Sequence, residues 1–81
     1  MDSKEVTRTS ARNKLPGAIT AIKRGDVMCQ VEMQSGDNHI VAVITTEAAD
    51  EMGLREGMEV VAMFKSTSVM IATRAGEGGG L

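Results

Sequence analysis

The chain has 81 residues, a formal net charge of −2, one cysteine and a single aromatic residue, Phe64. A chain of this length forms one domain at most and buries only roughly 60% of its unfolded surface, so it needs a further source of stability. One cysteine excludes an internal disulfide, and Cys29 and His39 alone cannot complete a zinc site, which leaves oligomerisation. The scarcity of aromatic rings argues against base or sugar stacking, and the acidic balance argues against unspecific nucleic-acid binding.

The sequence carries no signal for a membrane or for export. The longest apolar run, 40–44, is far too short to span a bilayer, and the mixed-charge start lacks the apolar core of a secretory signal. Because a lone free cysteine is typical of a reducing compartment, we expect the protein in the cytoplasm.

The elements follow one another as short strands. Apolar patterning and turn signals predict strands over 18–23, 27–34, 39–45, 58–65 and 69–73, with one helix over 46–52. The second strand alternates most clearly, with Val27, Cys29, Val31 and Met33 on one face. The third strand is apolar on both faces, which is expected of a strand covered by a second layer or by a neighbouring subunit.

The helix has recognisable ends. Thr45 or Thr46 can cap its first turn, and Gly53 suits the left-handed position that follows a helix. Five short strands with one helix between the third and fourth predict an all-β fold, an OB-like five-stranded barrel. A four-strand arrangement with the N-terminal arm packed across a partner is the alternative. The expected organisation is a flexible N-terminal extension over 1–8, the domain over 9–73 and a Gly-rich, disordered tail over 74–81.

Two clusters are rich in hydrogen-bond donors. Thr9–Asn13 combines small polar side chains with the planar guanidinium of Arg12, and Lys65–Ser68 places three hydroxyls beside an ammonium group. Each cluster can form a cradle for an oxyanion, and unpaired backbone N–H groups at a strand junction add to it. The alternative for the first cluster is a solvated arm, and for the second an ordinary turn rich in Ser and Thr.

No residues of the sequence stand out as candidates for catalysis. The sequence offers no nucleophile–base pair and no phosphate loop, so we predict no enzyme activity. Cys29 is expected in the core. His39, which has no acidic or Cys partner in sequence, is expected at the surface, and the seven methionines are expected in the core or in subunit contacts.

Several separated motifs occur together in a characteristic order. They are Thr9-Ser10-Ala11-Arg12-Asn13, Leu15-x-Gly17, Ile44-Thr45-Thr46-Glu47, Gly53-Leu54-x-Glu56-Gly57-x-Glu59-Val60 and Lys65-Ser66-Thr67-Ser68-Val69-Met70-Ile71-Ala72. By these motifs, residues 8 to 73 closely resemble the molybdenum-binding molbindin (Mop) domain, the single-domain member of the TOBE superfamily.

The resemblance implies a fold, an assembly and a ligand. Molbindins are OB-like homo-hexamers, built as a trimer of dimers, that bind molybdate or tungstate between subunits for storage and homeostasis in the cytoplasm. Carried over by motif, the ligand-binding residues are Ser10, Ala11 and Arg12 with Lys65 and Ser66, and Ser68 is a weaker neighbour. The backbone N–H groups of Ala11 and Arg12 are expected to act as donors. The resemblance implies no organic cofactor and no side chain coordinating the metal directly.

Two other functions remain as alternatives. The chain could be a molybdate-responsive regulatory module that acts on a partner protein. A nucleic-acid-binding OB domain is the less favoured alternative, because the chain has one aromatic residue and an acidic net charge.

Overall fold

The computed structural model describes residues 8–75, and the rest of the predicted N-terminal extension and Gly-rich tail lies outside them. The described elements are β1 (Asn13–Arg24), β2 (Met28–Ser35), β3 (Asn38–Thr45), α1 (Thr46–Met52), β4 (Glu59–Phe64) and a 3₁₀ turn (Ser66–Ser68). The four strands form one antiparallel sheet in the order β3-β2-β1-β4. No helix in this part of the chain is long and apolar enough to cross a membrane.

Strand β1 is longer than predicted because it pairs with two strands, β4 and β2, along different parts of its length. Its first half, from Asn13 to Ala18, pairs with β4. Its second half, from Ala18 to Arg24, pairs with β2, and that ladder has an irregularity between Ile19 and Ala21. A bulge of this kind bends a strand and increases its twist, which curls the sheet. Pro16 is tolerated inside β1 because its carbonyl accepts from Ser35 Oγ at 2.7 Å, on the β2 side. The N and C=O of one strand residue point the same way, so the missing N–H is not needed in the β4 ladder.

Gly17 marks the closest approach inside the sheet. A Cβ atom at this position would lie 2.1 Å from the carbonyl oxygen of Gln34. Only glycine allows β1 and β2 to come this close at the point where β1 changes partners.

The core lies inside the curled sheet under α1. Its buried members are Ile19, Cys29, Val31 and Ala49. The predicted alternation of β2 is confirmed, since Cys29, Val31 and Met33 are all buried. Val27 is the exception: it precedes the strand and is 71% exposed.

Helix α1 has the predicted bounds and ends. Thr45 Oγ1 accepts a hydrogen bond from the Ala48 amide at 3.1 Å, and Gly53 is left-handed with φ 64°. An ion pair between Arg24 and Asp50 ties the end of β1 to the helix, and its hydrogen bond raises the pKa of Arg24 above its usual value.

The mostly β, OB-like fold with one helix between β3 and β4 is confirmed, but the fifth strand is not formed. Residues 69–73 are exposed and pair with none of the four strands. A strand needs a neighbour to satisfy its backbone groups, and the single chain supplies none to this segment.

Candidate functional site

The pairing of β1 with β4 brings the two donor clusters together. Asn13 is opposite Phe64 at the end of this ladder, and Asn13 Nδ2 donates to the Phe64 carbonyl at 3.3 Å. Because the strands are antiparallel, Arg12 precedes this pair on one strand and Lys65 follows it on the other. The structure therefore joins, within one chain, two segments separated by more than fifty residues of sequence.

The N-terminal segment is held by a local side-chain bond. Thr9 Oγ1 accepts from the Ala11 amide at 3.0 Å, so this N–H already has a partner. Ser10 and Arg12 are exposed, and Ala11 is half-buried. Neither Arg12 nor Lys65 forms an ion pair within residues 8–75.

The second segment is a single 3₁₀ turn. The Ser68 amide donates to the Lys65 carbonyl at 2.9 Å, and the Val69 amide donates to the Ser66 carbonyl at 3.4 Å. These bonds hold the turn while its three hydroxyl side chains face solvent, as does Lys65. Of the predicted residues, Ser10, Ala11, Arg12, Lys65 and Ser66 flank the end of the ladder, and Ser68 lies at the far end of the turn.

Charge is strongly separated between the two ends of the β1–β4 ladder. Segments 8–18 and 60–75 contain five cationic residues and no acidic ones: Arg8, Arg12, Lys14, Lys65 and Arg74. Glu59 lies at the opposite end of the ladder, paired with Ala18. Five residues of strand place it about 17 Å from the Asn13–Phe64 pair. The predicted site therefore lies in a positive region of a chain whose net charge is negative.

A second polar cluster lies on the outer face of the sheet. Glu32 is approached by His39 Nε2 at 3.2 Å, Lys23 Nζ at 3.6 Å and Gln30 Nε2 at 3.3 Å. The prediction that His39 is at the surface is confirmed, and the fold gives it an acidic partner, Glu32, that is not adjacent in sequence. The register of β2 with β3 brings the two together, which sequence spacing alone does not reveal. Among the described residues, no group of three or more His, Cys, Asp or Glu side chains could hold a metal ion.

Sequence reasoning missed one positioning residue, Asn13. It belongs to the first donor cluster, but its amide is bonded to the main chain of β4 and does not project with Ser10 and Arg12. The signal that could have found it is the register of β1 with β4, which aligns Asn13 with Phe64.

An apolar groove of about 530 Å³ runs between the two edge strands, β3 and β4. Both edges contribute side chains, among them Ile40, Ala42 and Ile44 from β3 and Val60, Ala62 and Phe64 from β4. The groove contains no charged lining residue, so an oxyanion would find no donor side chain there.

Comparison with known proteins gives a consistent result. The sequence model of the TOBE domain family matches residues 9–71. Molybdenum-pterin-binding protein 2 of Clostridium pasteurianum is 41% identical over 63 residues, which cover 76% of this chain and 93% of that protein. A solved molybdate-binding protein from Sporomusa ovata has a TM-score of 0.79 at 30% identity, over 83% of this chain and 100% of that one. The cytoplasmic molybdate-binding protein ModG, solved with molybdate bound, has a TM-score of 0.69 at 35% identity, over 73% of this chain and 43% of that one.

Proposed function

Because the chain belongs to the TOBE domain family, we propose that it binds molybdate, or tungstate, for intracellular storage and homeostasis. The ligand-binding residues are Ser10, Ala11 and Arg12 with Lys65 and Ser66, and Ser68 lies nearby. The observation that supports the proposal is the β1–β4 register: Asn13 pairs with Phe64, and both donor segments lie just beyond that pair, at the same end of the ladder.

The donor set suits this ligand. Molybdate is a tetrahedral dianion at neutral pH, and all four of its oxygens only accept hydrogen bonds. Arg12 and Lys65 supply charge and donors, and the hydroxyls of Ser10 and Ser66 add neutral donors. Because the Ala11 amide already donates to Thr9 Oγ1, we assign more of the binding to side chains.

Selectivity follows from protonation and size. Phosphate at pH 7 carries a proton that needs an acceptor, and the side chains of this site offer none beyond the lone pairs of the serine hydroxyls, so phosphate is disfavoured. Sulfate has the charge of molybdate but shorter bonds, so it cannot reach all donors of a pocket sized for molybdate.

The exposure of the donors favours a site at a subunit interface. Ser10, Arg12, Lys65 and Ser66 are all exposed in one chain, whereas a tetrahedral anion is held best by donors on several sides. A homo-hexamer arranged as a trimer of dimers would supply the remaining wall. Val41 and Val43, which are 51% and 60% exposed on the third strand, are suitable for a subunit contact. We place this assembly in the cytoplasm, as for the relative ModG.

Calorimetric titration with molybdate, tungstate, sulfate and phosphate tests the function. We expect tight binding of molybdate and tungstate, weak binding of sulfate and no binding of phosphate. Sulfate binding as tightly as molybdate would contradict the selectivity argument, and absence of molybdate binding would overturn the proposed function.

A further inference from the structure

The side chain of Asn13 connects the two donor segments of the proposed site. Its Nδ2 donates to the carbonyl oxygen of Phe64 at 3.3 Å, across the last pair of the β1–β4 ladder. Arg12 is the next residue beyond this pair on one strand, and Lys65 is the next on the other. The strand ends that carry these two cations therefore cannot separate without breaking the Asn13 bond.

Two other hydrogen bonds at this end of the sheet act within a single segment. Thr9 Oγ1 accepts from the Ala11 amide, which holds the shape of the first segment. The Ser68 amide donates to the Lys65 carbonyl, which closes the 3₁₀ turn of the second segment. These local bonds hold each donor group relative to its own segment, whereas the Asn13 bond holds the two segments relative to each other.

Asn13 differs from the predicted ligand side chains in its exposure. It is half-buried, whereas Arg12 and Lys65 are exposed. A half-buried amide that already donates to the main chain is held in place, and this favours a positioning role. The amide has a second N–H, so a direct contact between Asn13 and the anion is the alternative.

The distance between donors distinguishes tetrahedral dianions of equal charge. Molybdate and sulfate both present four oxygens that only accept hydrogen bonds, but the bonds within sulfate are shorter. Donors held at a fixed spacing leave some sulfate oxygens out of reach, whereas donors free to approach each other would close around the smaller anion. A binding site whose supporting residues leave it about 1 Å too loose loses discrimination of this kind.

We propose that Asn13 sets the selectivity of the site for molybdate over sulfate, because its bond to Phe64 holds the two donor segments at a fixed distance. This inference rests on the proposed function and deepens it, since it assigns the choice of anion to a side chain that does not touch the anion. Donors held in place before binding also favour the anion that fits them, because less freedom is lost when it binds.

The variant N13A tests the inference in the full-length chain, with N38A as the matched control. Asn38 is exposed at the start of β3, on the edge of the sheet opposite β4, and its side chain makes no hydrogen bond within residues 8–75. Calorimetric titration at equal ionic strength gives the ratio of the sulfate Kd to the molybdate Kd. We expect N13A to lower this ratio about five- to tenfold, as for the loss of one hydrogen bond, and N38A to leave it unchanged.

A role limited to stability predicts a different result. N13A would then lower the Tm and leave the ratio of the two Kd values unchanged, and this result would overturn the inference. An equal fall of the ratio in N38A, or a wild type without preference for molybdate, would also overturn it. A wild type that binds no molybdate contradicts the proposed function itself, whereas selective binding with an unchanged ratio in N13A contradicts only the role of Asn13.

A crystal structure of the wild type with molybdate keeps the inference testable if N13A fails to fold. We expect Asn13 Nδ2 to remain bonded to the Phe64 carbonyl and to lie outside hydrogen-bonding distance of every molybdate oxygen. A molybdate oxygen bonded to Asn13 would make this residue a ligand and overturn the positioning role. Loss of the bond to Phe64 in the complex would overturn it as well.

Discussion

Arg12 and Lys65, the two cations of the proposed site, lie next to a residue whose side chain is bonded to the main chain of β4. The amide of Asn13 donates to the carbonyl of Phe64 and fixes the end of the β1–β4 ladder, with Arg12 and Lys65 immediately beyond it. Within residues 8–75 no carboxylate neutralises either cation. A dianion bound at this end of the ladder would be attracted by both cations.

The variants R12A and K65A should each weaken molybdate binding about 10- to 100-fold, because each loses a charge-assisted hydrogen bond. The control is R55A, which removes the same charge from an exposed turn in the acidic part of the chain. Calorimetric titration should show its affinity within about twofold of wild type, since exposed charges far from a ligand are screened by salt. An R55A loss equal to that of R12A would mean that only net charge matters.

The elements of this fold differ in how locally they are determined. Helix α1 is fixed by residues inside and beside it: a threonine cap at one end and a left-handed Gly53 at the other. Strand β1 depends on two distant partners, β2 and β4, and on the close approach at Gly17. Changes in the helix caps should therefore act locally, and a change at Gly17 should disturb the whole sheet.

The variant T45A should lower the free energy of unfolding by about 1 kcal/mol, because the Ala48 amide loses its cap. T20A is the matched control, since Thr20 is exposed and its side chain makes no hydrogen bond within the described part of the chain. Urea denaturation at fixed protein concentration measures both. Equal losses would show that the Thr45 hydroxyl does not act as a cap.

The variant G17A should cost about 3 kcal/mol, because its Cβ atom would overlap the Gln34 carbonyl and push β1 from β2. G36A changes a glycine with φ 59° and open space around it, so it should cost only about 1 kcal/mol of backbone strain. The same urea experiment ranks the two variants. A smaller loss for G17A than for G36A would contradict the close approach.

The sequence could predict those parts of the fold that local residues determine, and not those that depend on distant partners. The bounds of α1 follow from cap chemistry within a few residues, and the buried face of β2 follows from alternation. The start of β1 at Asn13 and the neighbourhood of Arg12 and Lys65 depend on the β1–β4 register, which no local pattern contains. The predicted fifth strand has the right composition, but a strand also needs a partner, and residues 69–73 pair with none of the four strands.

At the scale of the whole molecule, the charged and the apolar surfaces lie in different places. Arg12, Lys14 and Lys65 lie at one end of the β1–β4 ladder, and acidic residues lie along α1 and the turn that follows it. The groove between β3 and β4 is apolar, and so are the exposed side chains of Met70 and Ile71. The chain is small, its groove is open and the donors of the proposed site are exposed. These features favour an assembly of several chains that covers the groove and completes the site.

Molybdate should therefore stabilise the assembled protein. A ligand that binds only the assembled form adds about 2.7 kcal/mol at a concentration of 100 times its Kd. A thermal melt at fixed protein concentration should show a higher Tm with molybdate than with sulfate at equal ionic strength. No shift at saturating molybdate would contradict the coupling of binding to assembly.

The central claim is that the anion lies where β1 begins and β4 ends. Crystals of the full-length protein grown with molybdate, measured at the molybdenum absorption edge, test it most directly. We predict an anomalous peak within hydrogen-bonding distance of donors from both the Ser10–Arg12 and Lys65–Ser66 segments. A peak elsewhere on the molecule, with neither segment in contact, would contradict the account.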